Sequence, residues 1–189
     1  LTDDVGSRLG RAWQLGQRPR WLYDVGVRGK PHTFGCISDQ VSDPTNTRAV
    51  KAWVDSQFDA SVTWADIQWL RDLWPGTLII KGILDAEDAA QAVRIGAQGL
   101  VVSNHGGRQL DGVRSTASKL PEIVQAVGTD CEVLVDSGIR SGTDLFRALA
   151  LGARGVLVGR PWAWALAAGG EAAVFNLLSS WQRELQLVM

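Results

Sequence analysis

Ser103-Asn104-His105-Gly106-Gly107-Arg108-Gln109-Leu110-Asp111 is the most informative stretch of this 189-residue chain. It follows Gly99-Leu100-Val101-Val102, a short apolar run with the character of a buried parallel strand. Polar residues gathered at the C-terminal end of a strand occupy the place where α/β barrels set their catalytic groups. An imidazole such as that of His105 exchanges protons near neutral pH. Arg108, three residues on, can hold a carboxylate through two parallel hydrogen bonds. Gly106 and Gly107 allow a tight loop and a close approach of backbone to ligand. A base and a carboxylate clamp on one loop suit chemistry at the carbon next to a carboxylate. The chain has only two histidines, and the other, His32, receives no role.

Working outward, strand and helix signals alternate. Residues 78–81 read as a strand, and Asp85 opens an Ala-rich helix that reaches Arg94. Residues 99–103 form the next strand, followed by a helix over residues 120–127. Residues 132–136 are a third strand with a helix over 142–151, and residues 155–158 a fourth that leads into a helical tail. This alternation predicts a parallel α/β sheet. Gly96-Ala97 and Gly152-Ala153 are placed to end helices in the left-handed conformation. Thr63-Trp64-Ala65-Asp66 reads as a capped helix start, with the helix running to Leu73. Residues 1–45 show no sustained period and read as a long excursion with a short helix near residues 7–15.

Two further groups stand at strand ends. Lys81 closes an Ile-Ile run, badly placed for a core and well placed for an anionic ligand. Asp136-Ser137-Gly138-Ile139-Arg140 follows the third strand, and Gly159-Arg160 follows the fourth. Loops after the last two strands of α/β barrels commonly bind phosphate, for which glycine amides, a helix N-terminus and two arginines are suitable donors. Strand alternation puts Ser103 and His105 on the same side. Asp111 could orient a neighbour or simply form a turn.

Composition narrows the classes. With 19 basic and 20 acidic residues, the net charge of −1 carries no nucleic-acid footprint. Cys36 and Cys131 match no metal spacing and read as free thiols; no metal site is expected. No apolar run approaches the roughly 20 residues of a membrane-spanning helix. The length suits one domain but is short of the roughly 250 residues of a complete (β/α)8 barrel. Starting at Leu1, the chain reads as part of a longer protein.

The stretch SNHGGRQLD resembles the active-site signature of the FMN-dependent α-hydroxy-acid dehydrogenases and oxidases. The likeness runs from about Asp59 to the end, more loosely through residues 11–58. Through DPTNTRAV (43–50), KGILDAEDA (81–89), SNHGGRQLDGV (103–113) and DSGIR (136–140), it is nearest to the bacterial L-lactate dehydrogenase branch, with mandelate dehydrogenase next. The resemblance implies a (β/α)8 TIM barrel of which this chain holds about the last four βα units, residues 59–189. It makes residues 1–58 the long excursion after the fourth strand plus the following helix, a possible membrane-binding segment.

The resemblance also implies roles. His105 would be the base and Arg108 the substrate clamp. Lys81 would stabilise negative charge on reduced flavin, and Ser103 would contact the flavin. Asp136, Ser137, Gly138, Ile139, Arg140, Gly159 and Arg160 would hold FMN, with Ser137 standing where many members carry glycine. The acidic partner of His105 would come from the other half of the barrel. The implied reaction is oxidation of an L-2-hydroxy acid, L-lactate to pyruvate, with electrons passed to a membrane quinone or other carrier. A mandelate dehydrogenase, a glycolate-type oxidase and a catalytically incomplete half-barrel are the alternatives. Nine tryptophans are many. Trp64, Trp69, Trp74, Trp162 and Trp164 are expected to pack. Trp13, Trp21 and Tyr23, interleaved with Arg8, Arg11, Arg18, Arg20 and Arg28, suit an anionic membrane surface. A homo-oligomer held peripherally on the cytoplasmic face of the bacterial inner membrane is the expected setting.

Overall fold

Alternation of apolar strands with capped helices builds the larger of two compact units, residues 62–189; residues 1–61 form the other. The structure, a computed structural model, describes residues 5–189 apart from the side chains of Val5, Ser7 and Arg8. The first four residues and the Arg8 side chain, all within the expected excursion, thus lie outside what is described.

In the first unit, α1 spans Val5–Gly16, taking in the helix expected near residues 7–15. The single turn α2 (Pro19–Trp21) runs directly into a π-helical stretch, Leu22–Arg28. Pro19 stands at the first helical position, where its missing N–H costs nothing. Helix α3 spans Thr47–Gln57, and the Asn46 side chain caps it by accepting from the Arg48 and Ala49 amides at 3.0 and 3.4 Å. The His32 ring donates from Nε2 to the Val25 carbonyl at 2.6 Å.

In the second unit, α4 (Trp64–Leu73) starts at Thr63, whose amide and hydroxyl both donate to Asp66 at 2.7 Å. Four strands follow: β1 (Ile79–Ile83), β2 (Gly99–Val102), β3 (Glu132–Val135) and β4 (Gly155–Val156). They pair in parallel in the order β1-β2-β3-β4. Helices α5 (Ala86–Ile95), α6 (Thr116–Val127) and α7 (Gly142–Ala150) make the crossovers, and α8 (Arg160–Val188) follows β4. Leu100, Val102, Val133 and Val135 on one sheet face meet Ala89, Ala92, Leu120, Ile123, Val127 and Ala148 from the helices. Every residue of β2 is buried, as an interior parallel strand requires.

Departures from the expected boundaries have local causes. β1 runs on to Ile83 through a bulge between Lys81 and Ile83. Gly82 absorbs it with φ +100°, a conformation few other residues adopt. The extra residue resets the alternation, so that Ile80 and Ile83 both face the core while Lys81 stays on the opposite side. Helix α6 begins at Thr116, not residue 120, because Ser115 caps it and the helix takes Pro121 in its interior. β4 closes two residues early, although the Leu157 amide still donates to the Val135 carbonyl at 2.9 Å.

The expected packing of tryptophans holds for Trp64, which is half-buried against the core. Trp69, Trp74, Trp162 and Trp164 are instead exposed. They lie on surfaces that the described residues do not cover; Trp74 folds only over its own turn, donating to the Thr77 carbonyl at 3.2 Å. Trp181 is the buried one, at the α7–α8 contact. There the Gly142 amide donates to Glu184 at 2.7 Å. A Cβ on Gly142 would overlap the Trp181 carbonyl oxygen and lie 2.9 Å from the Leu185 nitrogen. Gly142→Ala should therefore force the helices apart and destabilise the unit by about 2–3 kcal/mol, read as a lower urea midpoint. An unchanged midpoint would mean that α8 is not seated on α7 as described.

Candidate active site

The side chain that organises the strand ends is Asp136, just past β3. Its carboxylate accepts from Lys81 Nζ at 2.7 Å and from the Ser137 hydroxyl at 2.6 Å. Ser103, only 3% exposed, also hydrogen-bonds it. Lys81 Nζ donates in addition to Ser103 Oγ at 2.8 Å. Burial pushes the Asp136 carboxyl up. The hydrogen bonds from Lys81, Ser137 and Ser103, with the Lys81 charge, outweigh it and hold the group below the usual carboxylate value.

A carboxylate can only accept hydrogen bonds, so both serine hydroxyls point their protons at Asp136. Their lone pairs are left facing the loop after β2. Ser103 Oγ accepts the His105 amide at 3.1 Å, and Ser137 Oγ accepts the Gly106 amide at 2.9 Å. The loop is pinned at a third point, where the Asn104 side chain accepts the Gly107 amide at 3.2 Å. From the far side Arg160, at the start of α8, donates to the Gly106 carbonyl at 3.2 Å. Gly106 has φ +71°, which favours glycine, and a Cβ there would sit 3.0 Å from that guanidinium, a tight contact.

Lys81, Ser103, Asp136, Ser137 and Arg160 thus come together around the backbone of the loop that carries His105 and Arg108. Those two side chains are exposed. His105 is not on the strand: β2 ends at Val102, and His105 sits in a 3-10 turn with φ +56°. The same-side placement expected from alternation therefore does not hold. Ser103 is buried on the Lys81–Asp136 pair, while His105 leaves the sheet through the turn.

The remaining expected residues flank this cluster. Gly138 is exposed with φ +96°, and Ile139 packs against the core. Arg140 donates its amide to Asp144 at 3.1 Å and leaves its side chain exposed. Gly159 precedes α8, whose N-terminus has no side-chain cap. Two residues that the sequence reading passed over also contribute. Asn104 anchors the turn, and its place directly after a strand is the kind of position where such side chains bond nearby backbone. Thr116, 1% exposed, donates its hydroxyl to the carbonyls of Asp136 and Ser137 at 2.7 and 3.2 Å. No local pattern marks a threonine one residue past a helix cap for that task.

The FMN-dependent dehydrogenase family matches residues 4–189. The chain belongs to the FMN-dependent dehydrogenase family. It is 53% identical over 183 residues to an L-lactate dehydrogenase of Xanthomonas campestris pv. campestris (strain 8004), covering 97% of this chain and 47% of that protein. Against an L-lactate dehydrogenase of Pseudomonas entomophila (strain L48) the identity is 51% over 181 residues, 96% of this chain and 48% of the relative. Among solved structures, a mandelate oxidase with benzoyl-formic acid is 53% identical with TM-score 0.63, over 66% of this chain and 37% of that one. A mandelate oxidase mutant carrying a monooxide FMN adduct matches with TM-score 0.64 and 53% identity, over 68% and 41%. The chain thus spans about half the length of the L-lactate dehydrogenases it matches, and its parallel sheet and helices form part of a TIM barrel.

FMN is the cofactor of the family, and the described residues fit it. Two exposed arginines, an open glycine loop and an uncapped helix N-terminus are suitable donors for a phosphate. Lys81, held on Asp136 and Ser103, is a fixed cation at the same strand ends, the kind of charge that would suit an electron-rich ring.

The Asp136 pair has a pH signature. Its carboxyl lies lower in the folded chain than the ordinary value of 3.8. The stabilisation is therefore fully present above that value and lost as pH falls through the lowered one. Asp136→Asn should melt lower than the native chain at pH 7, and the gap should close as pH drops below about 4. A gap that persists unchanged to pH 2.5 in thermal melts would show that the charge on Asp136 is not what stabilises the cluster.

Proposed function

We propose that this chain supplies the base, the carboxylate clamp and the phosphate contacts of an FMN-dependent L-2-hydroxy-acid dehydrogenase, with L-lactate as substrate and pyruvate as product. The single observation that carries the reading is the loop after β2. It exposes His105 and Arg108 three residues apart, and its backbone is pinned to the Lys81–Asp136 pair. The relatives named L-lactate dehydrogenase support the choice of substrate.

Arg108 holds the substrate carboxylate through its planar fork. His105 accepts the proton that leaves the hydroxyl or its carbon. FMN, when bound, takes up the two electrons removed from that carbon. Lys81 places a positive charge where negative charge then accumulates. Ser103 fixes the direction of Lys81. The backbone amides of Ser137, Gly138 and Ile139 and the side chains of Arg140 and Arg160, with Gly159 opening α8, hold the phosphate. Asp136 serves the site through Lys81 and the two serines.

The mandelate oxidase likeness favours one second reading, a 2-hydroxy-acid oxidase that passes electrons to oxygen. Comparing L-lactate with (S)-mandelate, and a quinone with oxygen, separates the two. In a complete FMN-loaded barrel carrying this chain, His105→Ala should keep its yellow flavin. It should lose substrate-driven bleaching by roughly 10²–10⁴-fold, the share that base catalysis supplies. Arg108→Lys should mainly raise KM. Near-native turnover in either variant, or release of a cofactor other than FMN on denaturation, would overturn the assignment.

Residues 1–58, the excursion and its following helix, are proposed as a peripheral membrane contact on the cytoplasmic face of the inner membrane, close to a quinone acceptor; the whole protein is proposed to form a homo-oligomer. Trp13, Trp21 and Tyr23 are exposed, and so are Arg18, Arg20 and Arg28. Asp24 pairs with Arg20 and Arg28 at 3.6 and 3.9 Å and offsets part of that charge. Among the described residues no helix is long and apolar enough to cross a membrane. Each cation near an anionic surface contributes about 1 kcal/mol. Anionic vesicles should therefore sediment the protein at low salt and partly release it at high salt. Deleting residues 8–28 should abolish sedimentation and spare FMN reduction; retained sedimentation would place the anchor elsewhere.

A further inference from the structure

We propose that Ser137 is a positioning residue for the reaction, whose hydroxyl ties the His105–Arg108 loop to the Lys81–Asp136 pair. The inference rests on the functional reading above and adds to it a task for one side chain. Ser137 has φ +70°, left-handed backbone that glycine would adopt without strain. A side chain at such a position is retained at a cost in backbone energy, so what the side chain does must be sought.

Its contacts answer that. The hydroxyl donates to Asp136 Oδ1 at 2.6 Å and accepts the Gly106 amide at 2.9 Å. With its one proton and the loop-facing lone pair engaged, the hydroxyl is committed to the loop; what Ser137 offers a phosphate is its backbone N–H. Gly106 lies between His105 and the rest of the turn. Its carbonyl is held by Arg160 at 3.2 Å, so Ser137 and Arg160 grip the same residue through its two backbone polar groups. Two strand-end loops are thereby joined across 31 positions of sequence. The strained backbone at Ser137 is itself held from behind, because Thr116 donates to both its carbonyl and that of Asp136. Without the hydroxyl the Gly106 amide loses its acceptor from the loop after β3, and the turn that carries His105 keeps the bonds made by Ser103, Asn104 and Arg160.

Two variants separate the hydroxyl from the backbone strain. Ser137→Gly removes both; Ser137→Ala removes the hydroxyl alone. In the 189-residue chain itself, both variants should speed hydrogen exchange at the Gly106 amide by about tenfold, the order expected for one lost hydrogen bond. Unchanged protection in both would overturn the proposal. A complete barrel can be made by joining this chain to the N-terminal half of the Xanthomonas campestris L-lactate dehydrogenase. There, Ser137→Gly should bind FMN and melt like the parent, yet reduce flavin at saturating L-lactate about tenfold or more slowly, because a misplaced base costs rate and not fold. Full-rate reduction in Ser137→Gly, or a defect cured by excess FMN, would overturn it, since either would make Ser137 a phosphate contact alone. If the parent barrel oxidises no 2-hydroxy acid, the functional reading fails, and the exchange measurement alone decides the role of the hydroxyl.

Discussion

A carboxylate held close to the sheet must be surrounded by donors, and most of the site geometry follows from how Asp136 meets that demand. Taking a charge out of water is costly unless it is paired and hydrogen-bonded. Asp136 has a lysine from β1, a hydroxyl from the end of β2 and a hydroxyl from its own loop. None of the three could be exchanged for an acceptor. Because the carboxylate accepts only, it fixes which way each hydroxyl points, and so creates the two acceptors that receive the amides of the loop after β2. The bulge at Gly82 belongs to the same arrangement. It lets β1 keep Ile80 and Ile83 in the core while Lys81 faces Asp136.

This constraint explains why the chemistry was legible in the sequence and the wiring was not. Strand ends are marked by apolar runs that stop at polar residues, so Lys81, the residues 103–111 and the residues 136–140 could be placed on one rim without coordinates. The parallel sheet and its crossovers follow from the same alternation. The direction of His105 did not follow, because alternation stops where the strand stops, and a turn with φ +56° re-aims the side chain. Thr116 and Asn104 act on backbone groups, which carry no sequence signature of their own. Helix α6 starts earlier than its apolar run suggests, because its Ser115 cap precedes the buried Leu120 and Ile123 by more than a turn. Trp69, Trp74, Trp162 and Trp164 were read by residue type alone, and exposure depends on what lies opposite.

The chain's share of its relatives, about half, agrees with the sheet itself. β1 and β4 each have one partner strand, and their outer edges are unpaired among the described residues. Unpaired parallel edges invite further strands. A TIM barrel continues at both, which is where the remaining units of the relatives would add. The surviving chemistry is unevenly divided by that arrangement. The rim of these four strands carries the residues proposed as base, clamp, flavin-facing lysine and phosphate donors, and among the described residues no carboxylate is hydrogen-bonded to the His105 ring.

Backbone strain is distributed in the same way. Among the described residues, two that are not glycine have positive φ, His105 at +56° and Ser137 at +70°. They are in different loops, 32 positions apart in sequence, yet the residue after one donates to the side chain of the other. Conformations of this kind persist only where surrounding bonds over-determine them. Here the surrounding bonds are the ones that begin at Asp136: Ser103 takes the His105 amide, Ser137 takes the Gly106 amide, and Thr116 secures the carbonyls behind. The strain is thus confined to the rim and offset by contacts made there. The core beneath takes part through two elements only at its margin, Thr116 at the start of α6 and the Gly82 bulge of β1, while the other described non-glycine residues keep negative φ.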